Sequence, residues 1–208
     1  NTHGRVTSDP ATLTVIEQPV VAGSINAAFD PQINGLVRLL ALAPDGTIVI
    51  AGSFTSVGET PKKGLARLQA NGALDPTFAP TVDTSGIVAL TSLADHRVLV
   101  ATSPYPTLGI APNTVLSLAP DGAVEATLEF HSVLKAAGFA TNVYDTSTKL
   151  FVLPDGTAIL RHSGRTGVTN KLAYFALQLS GNTLTATVTN LTFDPTNPRQ
   201  ATGKTITL

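Results

Sequence analysis

Leu42-Ala43-Pro44-Asp45-Gly46-Thr47-Ile48-Val49-Ile50-Ala51-Gly52-Ser53-Phe54, continued by Gly64-Leu65-Ala66-Arg67-Leu68-Gln69-Ala70-Asn71-Gly72-Ala73-Leu74-Asp75-Pro76-Thr77-Phe78, is the stretch whose reading decides the fold. Pro-Asp-Gly is a hairpin signal. Proline presets φ at about −65°, aspartate caps the turn through its carboxylate, and glycine takes the left-handed position that a β-carbon resists. Asn71-Gly72 is a second such signal. Four short strands are expected around them: 36–42, 47–52, 64–69 and 73–78, with 53–63 as a loop. The runs Leu39-Leu40-Ala41-Leu42 and Ile48-Val49-Ile50 are nearly continuous, which predicts strands buried on both faces.

The same landmarks recur. Pro44-Asp45-Gly46 is followed by Ala94-Asp95-His96 and Pro154-Asp155-Gly156, with the aspartates 50 and 60 residues apart. Gly72, Gly122 and Gly181, each opening a segment that ends in Phe (Phe78, Phe130, Phe193), are 50 and 59 apart, and Gly23 to Phe29 lies 49 earlier. Two independent markers agree on the period, and both place about ten extra residues in the third unit. Four-stranded units of this length in tandem predict a β-propeller. The fold expected is all-β, a partial β-propeller of about three antiparallel four-stranded blades. Propellers close with roughly four to eight blades, so the arc reads as truncated, with the remaining blades expected in the same longer chain.

Composition narrows the function classes. Of 208 residues 43% are hydrophobic and 13% charged, which is too apolar for a disordered tail. The net charge of −1 comes from scattered residues, so the basic footprint of a nucleic-acid binder is missing. Zero Cys excludes disulfides, thiolate metal sites and a cysteine nucleophile. No apolar run approaches the roughly 20 residues of a spanning helix, so no membrane insertion is expected. There is no Met, and both ends read as cut from something longer.

The unit quoted above resembles the delta-60 repeat, whose pattern is close to L-x-P-D-G-K-I-L-V-G-G-x-F followed by R-L-N-x-D-G-S-L-D-x-x-F. The second unit departs from it at His96 and Ser117-Leu118, and the third at Ala176-Leu177-Gln178-Leu179. The resemblance implies a propeller of secreted or cell-surface bacterial proteins. Gly4 to Val15 resembles the last strands of a bacterial immunoglobulin-like domain. The organisation expected is the end of such a domain at 1–16, a linker at 17–23, and the partial propeller at 24–208. Its units fall at about 24–78, 79–130 and 131–193, followed by the start of another.

Candidate residues are mostly architectural. Asp45, Gly46, Gly72, Asp121, Gly122, Asp155 and Gly156 are read as structural turns. Each turn has a single carboxylate, whereas calcium loops need several oxygen ligands together. Asp30, Asp75 and Asp194 precede prolines but do not align as one repeated site. Arg67 matches the family's recurrent arginine. A buried arginine needs a carboxylate, so an ion pair with Asp75 across the Asn71-Gly72 hairpin is predicted. The four histidines lack metal-pair spacing. Arg161, His162 and Arg165 form a possible anion contact. No nucleophile elbow, phosphate loop or H-E-x-x-H is found, so no catalytic, cofactor or metal residue is assigned. Residues 132–138 are the one helix-like stretch, inside a longer insertion at 131–147. With 53–63 and 102–113 it is where binding is expected. The function read is a non-catalytic binding or structural module whose blade-edge loops contact a protein or glycan. The alternative is part of a hydrolase or lyase completed by blades outside this chain.

Overall fold

The computed structural model describes residues 29–82, 84, 86–103, 113–129, 147–153, 155–166, 169–193 and 201–207. Within these the protein is all-β. The first sheet orders β1 (Val37–Leu42), β2 (Ile48–Gly52) and β5 (Leu65–Leu68), and the hairpin of β3 (Ser56–Val57) and β4 (Thr60–Pro61) sits between β2 and β5 in sequence. The second orders β6 (Ile87–Ser92), β7 (Val98–Thr102), β8 (Thr114–Leu118) and β9 (Val124–Glu129). The third orders β10 (Ser147–Val152), β11 (Ala158–Thr166), β12 (Thr169–Ser180), β13 (Thr183–Phe193) and β14 (Ala201–Thr207). All pairings are antiparallel and the strands of each sheet follow one another in chain order, with the β3–β4 hairpin inserted between β2 and β5, the meander of a propeller blade.

Five hairpins share one turn. In the first, Ala43 N donates to Thr47 O at 2.8 Å and Gly46 N to Ala43 O at 3.0 Å. The same two bonds join Gln69 to Ala73 and Gly72, Leu93 to Arg97 and His96, Ala119 to Ala123 and Gly122, and Leu153 to Thr157 and Gly156. This is a tight turn closed by one left-handed residue. Gly46, Gly72, Gly122 and Gly156 have φ between 85° and 95°. The side chain two residues before each second strand bond completes the cap: Asp45, Asn71, Asp95, Asp121 and Asp155 accept from the backbone N of Thr47, Ala73, Arg97, Ala123 and Thr157 at 2.9–3.2 Å. His96 takes the glycine position and is forced to φ 66°.

Packing runs from sheet to sheet. Ala41, Val49, Ala51, Leu65 and Phe78 of the first unit meet Ile87, Leu90, Val98, Val100, Leu116 and Leu118 of the second. On its other face the second sheet places Ala89, Leu99, Ala101, Val115 and Ala126 against Ala158, Leu160, Phe175, Leu177, Leu184 and Ala186 of the third. Strands β7 and β8 are therefore buried at every residue. Phe78 is fully buried between the first two sheets; burial of a side chain of this size stabilises by about 2–3 kcal/mol. The connector after it lies so close to the next turn that a β-carbon on Gly122 would stand 2.6 Å from Pro80 N, and Ala79 N donates to Asp121 O at 2.7 Å.

The structure corrects four expectations. Residues 73–78 form no fourth strand, only a bridge between Leu68 and Leu74. The Asp75 carboxylate turns the chain by accepting from Thr77 N, and Pro76 has no N–H to offer a ladder. Strand β1 is buried on one face only, since Leu40 and Leu42 are 63% and 65% exposed. It is the innermost strand, and these leucines face an open groove. The third sheet has five strands, because Ala201–Thr207 pairs with β13. It is also one-sided: Ala158, Leu160, Leu184 and Ala186 are buried while Ile159 and Arg161 are half-buried and Thr183 and Thr185 exposed. The segments expected as an immunoglobulin-like end (1–16), a linker (17–23) and a helical turn (132–138) lie outside the described residues, as do Phe130 and Asp194.

The turns generate a direct prediction. His96→Gly relieves a left-handed strain worth about 1 kcal/mol, while the contact it loses, Nδ1 to Asp45 Oδ2 at 3.3 Å, is solvent-exposed. The variant should show a raised midpoint in urea unfolding at an unchanged slope; an unchanged or lower midpoint would contradict the turn assignment.

Candidate functional site

The inner strands β1, β6 and β10 lie side by side and line a groove of about 650 Å³. One wall carries Leu40 and Leu42, the other Phe151 and Leu153, and the floor is Leu90, Thr91 and Ser92. Phe151 and Leu153 are 38% and 40% exposed. Among the described residues no titratable side chain lines it. The alternation of β1 explains the wall: Leu39 and Ala41 turn to the second sheet, so Leu40 and Leu42 turn away from it.

Polar side chains near the groove are committed to the turns. Hydrogen bonds from the Thr47 backbone and hydroxyl hold the Asp45 carboxyl below the usual carboxylate range, and Thr157 does the same for Asp155. Arg97, bonded to Asp95 Oδ2 at 2.8 Å, does so for Asp95. Among the described residues no group of three or more His, Cys, Asp or Glu is placed to hold a metal ion.

Arg67 Nε donates to Asp75 Oδ2 at 2.7 Å, with both side chains largely buried. The guanidinium also lies 4.9 Å from the centre of the Phe78 ring and reaches His96 O in the next sheet's turn at 3.3 Å. It thus ties its own sheet to the following one. Burial pushes the Asp75 carboxyl up, but hydrogen bonds from Thr77 and Arg67 outweigh it and hold it below the usual range. The second sheet relocates the arginine. Ser117 stands where Arg67 does, fully buried, and Arg97 on the neighbouring strand's start reaches Glu125, the counterpart of Asp75, at 4.0 Å. Glu125 and Arg97 were not legible as a pair, because the register that brings them together comes from β7, β8 and β9 pairing.

Arg161 and His162 do not share a face, and the side chain of Arg165 lies outside the described residues. The two are neighbours on β11, and successive strand residues point to opposite faces. Arg161 is half-buried on the face away from the second sheet, whereas His162 is 1% exposed on the packed face, its Nδ1 3.0 Å from Thr148 Oγ1. Arg165 pairs with Asn170 in the backbone register. Burial lowers His162 to about 4, so it is neutral at pH 7. The loop 53–63 is anchored: Phe54 and Val57 are buried, and Asn34 Oδ1 accepts from Thr55 N at 2.9 Å and Ser56 N at 2.6 Å. Most of 102–113 and of 131–147 lies outside the described residues.

Meandering antiparallel sheets stacked face to face, with their first strands around a central groove, define a β-propeller built from tandem repeats. A family model described as "Domain of unknown function (DUF5122) beta-propeller" matches residues 43–78, the first repeat from its turn to Phe78. Neither a curated protein nor a solved structure matches the chain.

Two predictions follow from the buried ionisable groups. Arg67→Met leaves Asp75 without its cation and should cost about 3 kcal/mol in chemical denaturation, with Asp75→Asn added to it restoring part of the loss. His162 has a folded pKa below its unfolded value of 6.5, so its contribution is complete above pH 6.5 and lost as pH falls towards 4. The loss is about 3 kcal/mol. His162→Gln should flatten the stability–pH curve across that window; a curve parallel to wild type contradicts the assignment.

Proposed function

We propose that this chain is a non-catalytic binding or structural module of a secreted or cell-surface protein, contacting a protein or glycan partner at its central groove and blade-edge loops. The observation that supports this reading is the groove itself. It is wide, its walls are exposed aliphatic and aromatic side chains, and its floor offers only two hydroxyls. Such a lining is suited to apolar contact, which gains from removing surface from water. The turn carboxylates are engaged by their own backbone and are aimed at the hairpins, not at the groove. The remaining blades of a propeller would pack beside the same inner strands, so the groove is also where further repeats of a longer chain join.

The test is a screen of the purified chain against a glycan array and a panel of extracellular proteins, repeated with Leu40→Ser/Leu42→Ser. A saturable partner, recovered chemically unaltered and bound at least tenfold more weakly by the double variant, is the expected result. Turnover of the partner, or binding indifferent to both leucines, would overturn the reading.

A further inference from the structure

We infer that the far face of the third sheet, turned away from the second, is a docking surface for an acidic polypeptide segment and not a seat for another aliphatic sheet. The three sheets make the comparison internal. Counted from the turn landmarks, one cross-strand pair occupies the same place in each: Leu39 opposite Ala51, Ala89 opposite Ala101, and Lys149 opposite Arg161. In the first two sheets this pair is aliphatic and covered by the next sheet, with Ala51, Ala89 and Ala101 at 2%, 3% and 0% exposure. In the third it is two cations facing each other directly. Like charges directly opposite in an antiparallel pair repel, and a covering aliphatic sheet would remove both from water without a counter-charge.

Lys149 is exposed and Arg161 half-buried, and among the described residues no carboxylate pairs with either. The third sheet's one described acid, Asp155, is held in its turn by Thr157. Tyr174 sits beside Arg161 in the same row, and the adjacent row on this face is Phe151, Ile159 and Ala176. The two rows are two residues apart along the strands, about 7 Å.

That spacing selects the occupant. An extended polypeptide presents alternate side chains on one side at about the same 7 Å interval. A carboxylate can then lie over Lys149 and Arg161 while the next side chain but one packs on Phe151 and Ile159. A carboxylated glycan matches the cations, but Ile159 and Ala176 offer it no hydrogen bonds. Lys149 and Arg161 lie outside the groove lining while Phe151 borders both surfaces, so the two readings are separated by Lys149 and Arg161 on one side and Leu40 and Leu42 on the other.

The experiment measures fluorescence anisotropy of a labelled synthetic peptide, Ser-Glu-Ser-Val-Ser-Glu-Ser-Val, with the purified chain. Controls are the same peptide with Lys for Glu, and polygalacturonate as the carboxylated glycan. The acidic peptide should bind, weaken as salt is raised, and lose at least tenfold in affinity in Lys149→Leu/Arg161→Ala, which installs the first sheet's pair. Leu40→Ser/Leu42→Ser should leave this binding unchanged. The Lys149→Leu/Arg161→Ala protein should melt no lower than wild type, since it removes a repulsion. Equal binding of the lysine peptide, binding of polygalacturonate alone, wild-type affinity in the Lys149→Leu/Arg161→Ala protein, or a lowered melting temperature of that protein would each overturn the inference.

Discussion

A β-sheet with two apolar faces cannot cover either of them by itself, and the rest of this structure follows from that constraint. The second sheet shows the satisfied case. Its central strands are buried at every residue because one face rests on Val49, Leu65 and Phe78 and the other on Leu160, Phe175 and Leu184. Such contacts join residues some fifty positions apart, so the repeat period is imposed by packing and not by local propensity. The connector carrying Phe78 is part of the same solution. It plugs the seam between sheets, and a glycine at the facing turn lets its backbone approach.

The polar residues serve that stacking. Side-chain oxygens at the five equivalent turns satisfy backbone N–H groups where the ladders end, which fixes where each strand starts. Among the described residues Arg67 is the cation buried inside the stack, and it is tolerated because Asp75, Thr77, the Phe78 ring and a carbonyl of the next sheet surround it. In the second sheet the acid persists while the arginine moves to a neighbouring strand. Register allows this: residues diagonal across two strands lie close enough for a long side chain to reach the same partner. Among the described residues, stacking leaves uncovered the leucine-walled groove and the outer face of the third sheet.

Much of this was legible. Pro44-Asp45-Gly46 and Asn71-Gly72 encode backbone conformations that few other residues accept, and their recurrence marked the sheets and their order. The Arg67–Asp75 proximity was readable because a three-residue hairpin loop, closed by Gln69 and Ala73, leaves little freedom in which residues face each other. The one-sided third sheet also had a local signal in Thr183-Leu184-Thr185-Ala186, an alternation that belongs to a half-wet strand. Other features had none. Leu40 and Leu42 look no different from buried leucines, and Arg161 and His162 look like neighbours in one cluster until strand alternation puts them on opposite faces.

The division has a physical basis. The sequence by itself determined the turns, the strand-forming segments and the period, because these depend on φ preferences and side-chain chemistry within a few residues. Only the tertiary structure decided which face of each strand is covered, where the seventy-third to seventy-eighth residues leave the sheet, and that Ala201–Thr207 joins the third sheet. Those outcomes are set by which distant sheet lies alongside, and a leucine or lysine carries the same local chemistry whether or not a neighbour arrives to bury it.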